Sequence, residues 1–300
     1  MKFAIHIATK NRKDDLLFTL EQVYPLLETP EVTCVVFDDG SNDGTAEAVK
    51  NKFPKVLLLQ NQTSRGYLYC RNVMLNETQA DIAISLDDDA HFLSENPLET
   101  IAEFFTENQK CGLIAFRIYW SKTVPEHTVT TEVSHPVKSY VGCGHAWRMN
   151  AWRSIPSYPE WFEFYGEETF ASLHLFKNHW EVHYVPEVFV LHRVDLKLRK
   201  TQTKDFTLRY RRSLRAGWFA IFLFYPVGKV IHFFLYSLWM QLKTKIFKGQ
   251  FKVLLPILGA LWDLIVLSTK IRKNRTAFTT REFSEYAKLK EPKIYWKPEK

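Results

Sequence analysis

Between residues 3 and 120, short apolar runs alternate with stretches of helical periodicity, and this alternation constrains the chain more than any other feature. "KFAIHIAT", "VTCVVFDD", "VLLLQN", "DIAISLDDD" and "CGLIAFRIYW" read as strands. Between them, "DDLLFTLEQVY" carries Leu16, Leu17, Leu20, Val23 and Tyr24 at helical spacing. "SNDGTAEAVKNKF" opens on capping residues, "GYLYCRNVMLNET" continues the pattern, and "NPLETIAEFF" offers Asn96 as N-cap with Pro97 in the first helical position. Continuous apolar strands separated by helices predict an α/β fold, a Rossmann-like, mostly parallel sheet covered on both faces. Ligands of such sheets bind beyond the carboxyl ends of the strands.

Two strands end there on acids, in "VVFDDGS" and "AISLDDDA". Asp87, Asp88 and Asp89 are adjacent, and adjacent carboxylates repel while burial disfavours their charged form. A divalent cation removes the conflict: hard ions such as Mg2+ and Mn2+ take oxygen ligands, and a diphosphate can complete the shell. Asp87 and Asp89, two apart, would share a strand face, with Asp88 pointing elsewhere. The plain alternative is a solvated turn or a helix-capping cluster.

From about residue 120 to 165 the pattern loosens. "SKTVPEHTVTTEVSHP" reads as a loop or inserted hairpin. A helix follows from about Glu167 to Asn178, then a strand near "EVHYVP". Cys34, Cys70, Cys111 and Cys143 are scattered without CxxC pairing, which fits a reducing compartment and no metal cluster or disulfide framework. "FAIHIA" is too short for a secretory h-region.

The net charge of +7 is unevenly spread. Residues 201–300 carry 20 Lys and Arg against 6 Asp and Glu, and the first 200 residues carry a net −7. The last hundred residues are also aromatic and apolar, but the longest charge-free runs, 216–228 and 230–242, are 13 residues each, short of the roughly 20 that span a bilayer. Joining them would bury Lys229 at about 2.5–3.5 kcal/mol. Helices lying in an anionic membrane surface are expected, the plain alternative being a bundle packed on the sheet or on a second subunit. Nucleic acid is not the expected partner, because the apolar runs suit lipid better than bases.

"HIATKNR", "VVFDDGSNDGT", "NQTSRGYLYCRN", "SLDDDA" and "FYGEETFASLHLFKNHWEVHYVPEVFVLHR" resemble, in order, the motifs of family-2 glycosyltransferases of GT-A fold, over about residues 3–193. The resemblance implies a catalytic domain, set at 1–204, and the change of composition beyond it sets apart an amphipathic, basic, helical, membrane-associated region at 205–300. The resemblance also implies that Thr9, Asn11, Arg12, Asp38, Asp39, Arg71, Asp87 and Asp88 belong to the substrate-binding set. Asp39, or alternatively Asp38, would meet the nucleotide base, and Arg71 the base or diphosphate, its plain role being a surface ion pair. Asp89, with Asp87 and His192, would hold Mn2+ or Mg2+, while a lone His after a strand can equally be structural. Glu168 would be the general base. The family usually has Glu-Asp at this position, and Glu167-Glu168 leaves open which carboxylate acts. Gly142 and Gly144 in "VGCGHAWRMNAW" would shape the acceptor side, and Trp147, Trp152, Trp161 and Tyr165 are candidates for stacking on sugars, or simply core.

The implied activity is inverting transfer of a sugar from a nucleotide-sugar donor to a hydroxyl of a lipid-linked or growing glycan, in cell-surface polysaccharide synthesis. A UDP-sugar is the first expectation, with dTDP and GDP donors as alternatives. A peripheral position on the cytoplasmic membrane face follows. Two other classes compete. A nucleotidyltransferase would want a Gly-rich phosphate loop near the N-terminus, and "ATKNRKDD" has no glycine. An inactive binding module would have a broken acid set, whereas Asp39, Asp89 and Glu168 are all present.

Overall fold

Apolar β-branched runs become adjacent parallel strands in the computed structural model, which describes residues 1–194 and 206–297. β1 (Phe3–Thr9), β2 (Val32–Asp38), β3 (Val56–Gln60) and β4 (Ile82–Asp87) lie in the order β3-β2-β1-β4, all parallel. The sheet continues through β8 (Gly144–Arg148), β6 (Cys111–Trp120), β9 (Glu181–His192) and β5 (Ala90–Phe92), and β7 (His135–Val137) pairs with β9. β5, β7 and β8 run antiparallel to their neighbours; the other six strands share one direction. The mixed, mostly parallel α/β fold is therefore as expected.

Helices α1 (Lys13–Val23), α2 (Thr45–Lys52), α3 (Tyr67–Glu77), α4 (Pro97–Glu107), the short α5 (Met149–Arg153) and α6 (Glu167–Lys177) flank this sheet. Leu16, Leu20, Val23, Ile101 and Phe105 face one side of it, joining Ile5, Ile7, Cys34 and Val36 in one core. The four cysteines are free and buried. Local details differ from the sequence expectation. Asn96 does stand at the N-cap position of α4, but its side chain makes no capping hydrogen bond. In α2 the N-cap is Gly44, and Asp43 Oδ1 accepts from the Thr45 amide at 3.1 Å. No inserted hairpin forms at 121–136; β7 joins β9 instead. β9 runs on past Pro186 because the register against β6 shifts between Phe116 and Arg117, a bulge that accommodates a residue without an N–H.

"GHAWR" is the largest surprise. It is strand β8, inserted between β4 and β6, with Trp147 fully buried. Trp147 and Trp152 are core residues closed to a sugar, and Trp161 packs edge-on against Phe162.

The 204/205 boundary lies outside the described residues. Beyond it, α7 (Phe206–Phe224), α8 (Val227–Thr244), α9 (Leu254–Val266), α10 (Ser268–Lys273) and α11 (Thr280–Ala287) follow, the last opened by a capping box of Thr279 and Glu282. The charge-free run 216–228 does not face outward. Phe219, Leu223 and Phe224 are buried with Phe162, Phe170, Ile271 and Phe278, each contributing about 1.5–3 kcal/mol by burial. The second half of the region behaves otherwise. Ile231, Leu235 and Trp239 on α8, and Leu255, Leu258 and Trp262 on α9, are about half exposed or more, at i, i+4 and i, i+3, i+7 spacing. Exposed Lys243, Lys248 and Lys252 lie around the turn between these helices. Among the described residues no helix is long and apolar enough to cross a membrane.

Candidate active site

The carboxyl ends of β1, β2 and β4 open onto a cleft of about 320 Å³ lined by Thr9, Arg12, Asp39, Tyr67, Asp87 and Asp88, among others. A larger groove of about 660 Å³, running along β1 to β3 between Phe3, Val35, Leu59 and Met74, contains none of the acids of that cleft.

β2 ends on two acids with different fates. Asp38 is fully buried and accepts from the Ser41 amide at 2.9 Å, closing its own turn. Asp39 lines the cleft and accepts four hydrogen bonds: from Asn61 at 2.7 Å, Ser64 Oγ at 2.6 Å, and the amides of Arg65 at 2.8 Å and Gly66 at 2.9 Å. Burial opposes its charge, but these donors hold the carboxyl below its usual range. Asp39 therefore fixes the 61–66 loop that forms one wall. Asn11 ties two loops together: its amide donates to Ser41 Oγ and its Oδ1 accepts from the Asn42 amide, both at 2.8 Å.

The three consecutive aspartates do not alternate as a continuous strand would, because β4 stops at Asp87 and the chain turns before β5. Asp87 points into the cleft and meets Tyr67 Oη at 3.0 Å and Arg71 Nη2 at 2.9 Å. Asp88 turns back to accept from Thr9 Oγ1 at 2.8 Å and lies 3.0 Å from Arg12 Nη1. Its burial outweighs Arg12 and pushes its carboxyl up to about 7. Asp89 accepts from Arg12 Nη2 at 2.7 Å, and its Oδ1 is 3.0 Å from His192 Nε2. Burial opposes that charge too, yet His192 and Arg12 hold Asp89 well below the usual carboxylate range. His192, the last residue of β9, is pushed up to about 11: burial disfavours the imidazolium, while the Cys143 sulfur and Asp89 favour it. Burial keeps Cys143 a thiol, so Asp89 is the charged partner of His192. The Trp120 ring stands edge-on to the imidazole at 5.1 Å.

Asp87, Asp89 and His192 each bring a ligand atom within 4.8 Å of the other two. Two carboxylates and one imidazole suit Mn2+, which accepts nitrogen more readily than Mg2+ does. Their arrangement fits a cation, with Arg12 and the imidazolium balancing Asp89 in its place.

Arg71 is not a surface residue. It sits on the buried side of α3, bridges Asp87 and the Gly142 carbonyl at 2.8 Å, and lies 4.4 Å over the Tyr67 ring. Tyr67 went unnoticed in the sequence, although it is four residues before Arg71 and thus on the same helix face.

The acid pair opens α6 behind Gly166, whose φ of +89° a side chain would strain. Glu167 is 4% exposed and its Oε2 has no partner. Burial, then the charge of Glu168, raises its carboxyl strongly. Glu168 is half-buried and also raised by burial. Gly142 is required beside it: a Cβ there would lie 2.8 Å from Glu168 Oε1. The cleft thus meets a candidate cation site at Asp87, has one wall fixed by Asp39, and lies near the acid pair beside the Gly142 turn through the Arg71 bridge.

The chain is similar to known glycosyltransferases. A curated relative, the 4,4'-diaponeurosporenoate glycosyltransferase of Staphylococcus haemolyticus, is 31% identical over 114 residues, 37% of this chain and 29% of its own length. The chain thus spans under a third of that relative. Among solved structures, GalNAc-T7 with UDP, GalNAc and Mn2+ superposes with a TM-score of 0.58 at 14% identity, covering 76% of this chain and 49% of its own. The mannosyltransferase PcManGT from Pyrobaculum calidifontis, with GDP-Man and Mn2+, gives 0.56 at 13% identity, covering 95% and 78%. Both share the GT-A-like fold. The profile of glycosyl transferase family 2 matches residues 4–175, more than half the chain, and with the motifs in order along the cleft this places the protein in that family.

Proposed function

We propose that the protein is an inverting, divalent-cation-dependent glycosyltransferase that passes a sugar from a nucleoside-diphosphate donor, a UDP-sugar first, to a hydroxyl of a lipid-linked or growing glycan. The observation that carries this is the convergence of Asp87, Asp89 and His192, with Asp87 lining the cleft and joined through Arg71 to Gly142, beside which Glu168 lies. Mn2+ or Mg2+ held by those three residues would supply Lewis-acid neutralisation of the departing diphosphate. Arg12 stands close enough to share that charge once it leaves Asp89. Asp39 keeps the 61–66 wall in place for the nucleotide. Glu168, more open than Glu167 and raised by burial, takes the proton of the acceptor hydroxyl as its oxygen bonds to the sugar C1. The C1–O electron pair leaves with the diphosphate. Attack from the face opposite the leaving group inverts the anomeric centre, and such a base contributes about 10²–10⁴-fold.

Residues 205–300 would bind the cytoplasmic face of an anionic membrane, supported by the apolar stripes of α8 and α9 and the lysines between them. A lipid-linked acceptor suits that location. Donor hydrolysis is measured across UDP-, dTDP- and GDP-sugars with Mn2+ or Mg2+. Turnover of at least one donor by the wild type, lost in Asp89→Ala and in Glu168→Gln, is expected, with an inverted anomer by NMR. Undiminished turnover in Asp89→Ala removes the cation role. No turnover of any donor favours an inactive binding module.

A further inference from the structure

The loop that delivers the acid pair is held less by the sheet than by the C-terminal helices. Within 163–166, Glu163, Tyr165 and Gly166 have φ of +65°, +72° and +89°. Non-glycine residues there cost about 1–3 kcal/mol each and persist only where the surroundings enforce them. The enforcing contacts come from α7. Arg215, 4% exposed, donates to the Phe162 carbonyl at 2.7 Å and lies 3.2 Å from Glu163. Arg212 meets Glu163 at 2.7 Å. Ala216 comes so close to Gly166 that a Cβ on the glycine would lie 2.8 Å from it. The Phe219 ring packs on those of Trp161 and Phe162 at 5.1 and 5.2 Å.

Arg215 is in turn held by α9. Asp263, 7% exposed, pairs with Arg215 at 3.2 Å and takes two hydrogen bonds from Arg211 at 2.8 and 2.5 Å. Its neighbour Trp262 is 61% exposed, and Val266, one turn on, is 58% exposed. One helix therefore shows its apolar stripe outward and a buried carboxylate inward, and that carboxylate is two ion pairs from the residue three positions ahead of Gly166.

We propose that Arg215, Asp263 and Glu163 are positioning residues through which α9 sets the placement of Glu167 and Glu168, so that contact of its apolar stripe with an anionic bilayer raises turnover. This rests on the membrane assignment above. None of the three lines the donor cleft; Phe164 beside Glu163 does, but it packs on the Tyr67 ring of α3 at 5.5 Å, so the three act through the turn at 165–166 that opens α6. Misplacement by about 1 Å costs up to about a hundredfold in rate, and a partial release of the loop is expected to cost on the order of tenfold.

The full-length chain is assayed for nucleotide release from UDP-glucose, UDP-N-acetylglucosamine, UDP-galactose and GDP-mannose with Mn2+. Vesicles of phosphatidylcholine, with or without phosphatidylglycerol, are added, and flotation is measured on the same samples. The wild type is expected to float with phosphatidylglycerol and to gain in kcat at unchanged donor KM. Asp263→Asn should float equally, lose that gain and drop on the order of tenfold in kcat. Glu163→Gln removes a half-exposed carboxylate, leaves the Arg215–Asp263 pair intact and should fall in the same direction. Glu163→Asp keeps the carboxylate that Arg212 and Arg215 meet and should retain kcat closer to the wild type than Glu163→Gln does, a split that the loss of charge explains. Unchanged kcat and vesicle response in both Asp263→Asn and Glu163→Gln overturn the proposal. A wild type that does not float overturns the bilayer half alone; the positioning half then stands if Glu163→Gln lowers kcat at constant donor KM, and falls if it does not.

Discussion

Asp89→Asn separates the two things that Asp89 does. The side chain is buried, and both oxygens face cations: Arg12 Nη2 at 2.7 Å and His192 Nε2 at 3.0 Å. Asn keeps the shape but removes the charge and turns one oxygen into a donor. The Arg12 share is small, because that side chain is 41% exposed and water replaces part of what it loses. The His192 share is large, because its side chain is 8% exposed and the orphaned partner of a buried pair costs about 3–5 kcal/mol. At about 2–4 °C per kcal/mol for a chain of this size, the melting temperature should fall by about 6–20 °C. Adding His192→Gln should recover part of the loss by removing the orphan. Ligand linkage supplies the second readout. With Mn2+ and UDP at a hundredfold over Kd, the wild type should gain about 2.7 kcal/mol, a rise of about 5–11 °C that EDTA reverses. The variant should show no such rise. Thermal melts of wild type and variant, with Mn2+, UDP, both, or EDTA, provide the comparison. An equal Mn2+- and UDP-dependent rise in Asp89→Asn would show that the ion, if it binds, does not depend on this carboxylate.

Gly142→Ala should lower kcat on the order of tenfold or more with donor KM retained, since the new methyl would lie 2.8 Å from Glu168 Oε1 and displace the carboxylate; steady-state kinetics decide, and unchanged kcat would place the base elsewhere. Buried His6 and His174 should each oppose stability in acid, while the raised carboxyls of Asp88 and Glu167 act in the opposite sense. Burial lowers the two histidines to about 3 and about 4, so the unfolded chain binds protons that the folded one refuses. Their share of stability is therefore complete above pH 6.5 and lost as pH falls, by about 2 kcal/mol per histidine at pH 5. Urea melts of wild type and His174→Leu at pH 7.5 and 5 isolate that share: the variant should lose about 2 kcal/mol less, or gain about that much more, between the two pH values. Trp147→Ala should cost about 3–5 kcal/mol in the same melts without changing UDP affinity by titration, because Trp147 is core rather than a sugar platform.

The sequence determined what local contacts encode. Continuous apolar runs located β1, β2, β3, β4 and β6, helical spacing and capping residues located α1 to α4, and the position of the acids after β2 and β4 placed a polar cleft at the carboxyl edge. Which acid does what was decided elsewhere. Asp38 and Asp39 are indistinguishable as neighbours in a string; the turn after β2 buries one and hands the other to the 61–66 loop. "GHAWR" contains a glycine, a histidine and an arginine and has no strand periodicity, so only its insertion between β4 and β6 makes it a central strand and its tryptophan core. The two 13-residue apolar runs look alike in composition, yet Phe219, Leu223 and Phe224 are buried with Phe162 and Phe170 while Ile231, Leu235 and Trp239 stay exposed. An apolar residue specifies that it should leave water, and its spacing specifies which neighbours leave with it. What covers it depends on surfaces brought together from distant parts of the chain, and that information exists only in the packed molecule.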